Sequence, residues 1–129
     1  MEITFDGGKI VTAHIRGFEV KTDQPVSNGG TETAPSPFEL YLASLGTCAA
    51  IYVKSFCDNR QISTEGVKLV QKTSFSPETG LPVKIVFDIR LPAGFPEKYR
   101  ESLINVAALC KVKKSILSPP AFEIISSVP

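Results

Sequence analysis

The period of the apolar residues changes several times along the chain, and those changes divide it into elements. Ile3 and Phe5 stand on alternate positions before the turn pair Gly7-Gly8. Lys9 to Arg16 is rich in Ile and Val, and Gly17 to Lys21 continues in the same manner. Alternation broken by glycine turns predicts a β-meander of two or three strands. Thr22 to Pro35 has no hydrophobic period and contains Asn28-Gly29-Gly30, so it reads as a loop. Loops of this length in small domains are often functional.

Ser36-Pro37-Phe38-Glu39 is a helix-start signal. Ser36 is placed to be the N-cap, Pro37 the first helical residue and Glu39 the reciprocal partner of a capping box. The helix is expected to run to about Asn59. Its apolar residues (Phe38, Leu40, Tyr41, Leu42, Leu45, Ile51, Tyr52, Val53 and Phe56) keep to no single face, and Ala43, Ala49 and Ala50 fill the gaps. A helix apolar all round is buried on all sides or lies in a membrane. The amphipathic strands around it and the lack of a second such segment favour burial. One such helix is hard to cover in a small domain, so a second copy of the chain is expected to cover it, as a homodimer.

Beyond the helix, Val67, Leu69, Gln71, Thr73 and Phe75 alternate, and Ser76 to Gly80 reads as a turn. Val83, Ile85, Phe87, Ile89 and Leu91 then alternate against Lys84, Asp88 and Arg90. This pattern predicts a hairpin with one dry and one wet face. A second helix is expected from near Pro96 to about Leu109, with Leu103, Val106, Ala107 and Cys110 on one face. Lys111 to Leu117 reads as a separate short helical piece, ended by Pro119-Pro120, and Ala121 to Val128 as a last strand. The order is β-meander, long helix, hairpin, helix and strand, an α+β plan.

Composition narrows the class. At 129 residues, a single domain over 1–129 is expected. The formal net charge is +1 and both signs are dispersed. Nucleic acid and anionic membrane surfaces call for a clustered basic patch, so neither is expected as a partner. The start, Met1 to Asp6, has neither the basic stretch nor the long apolar run of a secretory signal. Three cysteines at wide spacings do not make a secreted disulfide scaffold. The expected location is the cytoplasm.

Free cysteines are usually inert core residues, so only its surroundings can mark one as reactive. Cys48 sits mid-helix among Gly46, Ala49 and Ala50. A glycine inside a helix costs about 1 kcal/mol relative to alanine, so Gly46 predicts the close approach of another element or a ligand. Cys110 precedes Lys111, Lys113 and Lys114, and cations and a following helix N-terminus would favour its thiolate. Cys57 follows Cys48 by nine residues on the same helix. That spacing is half a turn out of phase and about 13 Å along the axis, so those two cannot bond, and Cys57 reads as structural. His14, the only histidine, belongs on a strand face. The cysteines and His14 lack the short spacings of a zinc set, so no metal and no cofactor are expected.

The run from Ala34 to Cys48, Ala-Pro-Ser-Pro-Phe-Glu-Leu-Tyr-Leu-Ala-Ser-Leu-Gly-Thr-Cys, resembles the central-helix motif of the OsmC/Ohr family (osmotically inducible protein C and organic hydroperoxide resistance protein). Cys110 to Lys114 resembles that family's second cysteine segment, and the element order is similar throughout. The resemblance implies an intertwined homodimer with the long helices back to back. It also implies a thiol-dependent peroxidase in which Cys48 attacks an organic hydroperoxide and becomes a sulfenic acid. Cys110 would close a disulfide with it, and a lipoyl-type or small dithiol would reset the pair. In the best-characterised branches a glutamate directly follows the proline of the helix motif and activates the cysteine together with an arginine. Here Phe38 holds that place and Glu39 comes one residue later, while Arg16 is similar in location to the arginine. Glu39 and Arg16 are therefore the auxiliary site candidates, and the chain looks like a less characterised branch. The alternative is a non-catalytic dimer that binds an apolar or thiol-bearing small molecule.

Overall fold

In the computed structural model, which describes residues 1–129, the chain gathers into two compact units, Met1–Ser44 and Leu45–Pro129. The alternation at the start of the first unit forms three antiparallel strands, β1 (Glu2–Phe5), β2 (Val11–Ile15) and β3 (Phe18–Thr22), in the order β1-β2-β3. Ile3 opposes Ala13, and Ala13 opposes Val20. Arg16 and Gly17 make the two-residue turn between β2 and β3, and both have positive φ (49° and 86°). That conformation matches the twist of a hairpin.

The loop after β3 is built around one carboxylate. Asp23 is buried, and its Oδ2 accepts from the amides and hydroxyls of Thr31 and Thr33, while its Oδ1 accepts from the Gln24 amide. The Thr31 hydroxyl, then the Thr33 and Gln24 amides, hold the Asp23 carboxyl far below the usual carboxylate range. A segment without hydrophobic period is thus ordered by charge-assisted hydrogen bonds. A short 3-10 turn, Val26–Asn28, lies inside it.

The long helix, α1, spans Pro37–Asp58. Its start is the expected capping box: the Glu39 amide donates to Ser36 Oγ at 3.3 Å, and the Ser36 amide donates to Glu39 Oε2 at 2.7 Å. Its end is closed by Gln61 in the left-handed region (φ 56°) and by the Ile62 amide reaching back to the Cys57 carbonyl at 2.9 Å, a Schellman-type termination. By length and composition α1 could cross a bilayer, a test that core helices also meet.

In the second unit, Leu45, Ala49, Val53, Phe56 and Cys57 form the buried stripe of α1. They meet a hairpin of β4 (Lys68–Phe75) and β5 (Pro82–Arg90), in which Leu69 opposes Ile89 and Gln71 opposes Phe87. The second helix starts as a 3-10 turn, Glu97–Tyr99, and continues as α2 (Arg100–Ala107). Its Leu103 and Ala107, with Cys110 just beyond, complete the core, against which Leu69, Ile89, Leu91, Phe95 and Tyr99 pack. The short piece forms separately as α3 (Lys111–Leu117).

Its own chain covers α1 only in part, as expected of such a helix in a small domain, and the expected last strand does not form. Only one stripe of α1 is buried within its own chain, and Ile51 on another face is 57% exposed. Ala121 to Val128 is not a strand: the segment has no regular structure, and Phe122 and Ile124 are 87% and 97% exposed. A strand exists only through the ladder it shares with a neighbour, and within its own chain this segment has none.

Candidate functional site: a thiol pair under a short helix

Cys48 lies midway along α1, flanked by small residues that leave its sulfur accessible to a neighbouring element. The close approach signalled by Gly46 comes from β4. A Cβ at Gly46 would sit 2.7 Å from the Gln71 side-chain oxygen, so the glycine makes room for that amide. Gln71 is the one amide among the alternating positions of β4 that face α1, and it is half-buried.

Cys110 is the N-cap of α3. Its Sγ accepts the Lys113 amide at 3.3 Å, and its thiol donates to the Leu45 carbonyl at 3.7 Å. Leu45 lies three residues before Cys48, about one turn back along α1, so this bond holds Cys110 against the turn that carries Cys48. The two thiols are neighbours that influence each other's ionisation, and all three cysteines of the chain are free.

The pair is electrostatically asymmetric. The Val112 backbone amide, directed at the Cys48 sulfur, holds the Cys48 thiol below its ordinary range against the opposing effect of burial. The Cys110 thiol, the Lys111 amide and the Lys111 charge add to this. Cys110 goes the other way: burial pushes its thiol up, and the neighbouring Cys48 adds to the rise. The sequence led us to expect the lysines and the helix N-terminus to favour thiolate at Cys110. The Lys113 and Val112 amides do act on Cys110, but its burial outweighs them, whereas at Cys48 the Val112 amide outweighs burial. Hydrogen bonds to a charged sulfur favour that charge, and desolvation opposes it. The arrangement therefore suits a thiolate at Cys48 beside a thiol at Cys110 that keeps its proton.

Cys57 stands apart from the pair. It is fully buried, and desolvation, then the Asp58 charge, push its thiol up. Glu39 is engaged by the Ser36 amide and hydroxyl, which hold its carboxyl below the usual range. Arg16 occupies the left-handed turn position between β2 and β3. Phe38, in the place where a glutamate was expected, stacks at a tilt on Tyr41 with ring centres 5.3 Å apart. His14 lies on β2, with Nε2 3.0 Å from the Thr4 hydroxyl. Residue types do not reveal two groups at the pair, the Val112 amide beside Cys48 and the Leu45 carbonyl that accepts from Cys110. Both are backbone groups and carry no residue-type signal.

Comparison with known proteins places the chain by family and by fold. The model of the family described as OsmC-like protein matches residues 29–125. No curated protein matches. A solved structure from Psychrobacter arcticus 273-4, described as an osmotic stress induced and detoxification response protein, is similar with a TM-score of 0.75 at 23% identity, over 88% of this chain and 85% of that one. One from Legionella pneumophila, described as an organic hydroperoxide resistance protein OsmC, a redox protein and a regulator of sulfide bond formation, is similar with a TM-score of 0.55 at 19% identity. That match covers 89% of this chain and 85% of the other.

Proposed function

The chain belongs to the OsmC-like protein family, and on that premise we propose that it is a thiol-dependent reductase of organic hydroperoxides. The observation that carries this reading is the placing of Cys110, cap of α3, against the turn of α1 that bears Cys48, where the Val112 amide holds the Cys48 thiol down and burial pushes the Cys110 thiol up. The Cys48 thiolate attacks the terminal peroxide oxygen. The O–O bond breaks, the alcohol leaves with a proton, and Cys48 becomes a sulfenic acid. Cys110 then attacks that sulfur, water leaves, and a Cys48–Cys110 disulfide forms. An external dithiol, lipoyl-type or small, returns both thiols. A sulfenate beside a second thiol is trapped before irreversible oxidation.

Activation here rests on α3 amides rather than on a carboxylate. Glu39 serves as the cap of the helix that carries Cys48, and Arg16 is kept as an auxiliary site residue on resemblance. The active form is proposed to be a homodimer, since α1 leaves apolar surface such as Ile51 uncovered. Free thiols of this kind suit the reducing cytoplasm. The test is consumption of cumene hydroperoxide by purified protein with dihydrolipoamide or dithiothreitol. Wild type is expected to turn over and Cys48→Ser to stay at the background rate; equal rates would sink the reading.

A second reading has one observation in its favour. A cleft of about 400 Å³ opens between β5 and α2, lined by Phe87, Ile89, Leu91, Leu103 and Ile104 and by the charged Asp88 and Arg100. On this reading the protein binds a small apolar molecule there without chemistry. Native mass spectrometry of protein purified from cells would reveal a retained ligand.

A further inference from the structure

α3 is a short helix with an unusual electrostatic start. Lys111, Lys113 and Lys114 all lie in its first four residues, and its first turn holds no acidic residue. Cations at a helix N-terminus oppose the helix dipole. Seven residues are too few for a helix to persist in water unaided. None of its residues is fully buried, and Val112 alone packs against the core. What meets its free N-terminal amides is sulfur: Cys110 accepts from Lys113, and Cys48 accepts from Val112. The cap of α3 is therefore the reduced Cys110 sulfur, with Cys48 beside it near the Val112 amide.

We propose that α3 is a redox-gated segment: it is helical while Cys48 and Cys110 are reduced and unwinds when they join as a disulfide. This rests on the thiol chemistry proposed above. Two thiols and one hydroperoxide give one disulfide, one alcohol and one water, so two electrons leave the sulfurs for the peroxide oxygens. In that step the negative charge at Cys48 disappears. Cys110 leaves the Leu45 carbonyl to bond to Cys48, and the amides of Val112 and Lys113 lose their charged or well-placed acceptors. The three lysines are then uncompensated. Unwinding also opens a path to a disulfide formed at the fully buried Cys110, which the reducing dithiol must reach in line with a sulfur.

The test is amide hydrogen exchange of peptides covering 111–118, in the dithiol-reduced protein and after oxidation by diamide, with disulfide formation followed by intact mass. Diamide makes the disulfide without any peroxide, so the switch and the peroxidase reading fail separately. The expected result is exchange faster by about tenfold in the disulfide form, as loss of a helix cap implies. Cys48→Ser given the same treatment should show no such change. Unchanged protection in a protein whose Cys48 and Cys110 are linked overturns the proposal, and so does failure of the pair to link under diamide. If diamide links the pair and hydroperoxide does not, the peroxidase reading falls, and the exchange result still decides the switch.

Discussion

Cys48 and Cys57 lie on one helix, nine residues apart, in stretches of similar apolar composition, yet their surroundings push them in opposite directions. Cys57 faces the core formed with Leu103 and Ala107 and meets no hydrogen-bond donor that would lower its thiol; burial pushes it up. Cys48 faces the start of α3, where the Val112 amide and, beside it, the second thiol hold its own thiol down. Burial alone makes a cysteine inert, whereas donors aimed at the sulfur make it a nucleophile. In this molecule a seven-residue helix supplies the difference.

The sharpest way to break the comparison is to delete each sulfur. Cys48→Ser is expected to cost about a thousandfold or more in hydroperoxide turnover, the scale of losing a nucleophile, whereas Cys57→Ser should leave turnover near wild type in a coupled dithiol assay. Next in size is Cys110→Ser. It should support a single oxidation of Cys48 and then stall, with sulfinic acid accumulating in the mass spectrum, because no second thiol traps the sulfenate. A smaller effect isolates the backbone donor. Val112→Pro removes the amide directed at Cys48 at a first-turn position that tolerates proline. The midpoint of Cys48 alkylation by iodoacetamide should move up.

The sign of the pH profile follows from the same shifts. The Cys48 thiol is held below its ordinary value of 9.0, so wild-type alkylation at Cys48 should rise with pH and level off at lower pH than alkylation of an ordinary thiol. Cys57, pushed up and buried, should stay unlabelled over that range. The smallest effect is on stability: Cys57→Ala should cost about 1 kcal/mol in urea melts, with no change in the Cys48 profile.

Much of the fold was legible because its signals are local. Ser36, Pro37 and Glu39 specify the start of α1 through their own side chains, and the capping box forms as read. The alternation of Val83 to Leu91 places β5 in the same way. Gly46 announced a close approach, but that β4 supplies it through Gln71 depends on strand register rather than composition. Asp23 with Thr31 and Thr33 was readable only in hindsight, since ten residues separate the carboxylate from its furthest donor. The last strand was misjudged because apolar residues such as Phe122 and Ile124 encode a preference, while a strand needs an edge to pair with. At the site, the identity of the two thiols came from resemblance. Which of them ionises turns on the burial of Cys110 and on the aim of the Val112 amide, neither of which residue types encode.

The central claim is that Cys48 and Cys110 act together on a hydroperoxide while Cys57 stands aside. Peptide mapping of reduced protein after one equivalent of cumene hydroperoxide tests it most directly. The account predicts a protein lighter by two hydrogens, with Cys48 linked to Cys110 and Cys57 free. Oxidation at Cys57, or a Cys48 that stays a free thiol while the peroxide persists, would contradict it.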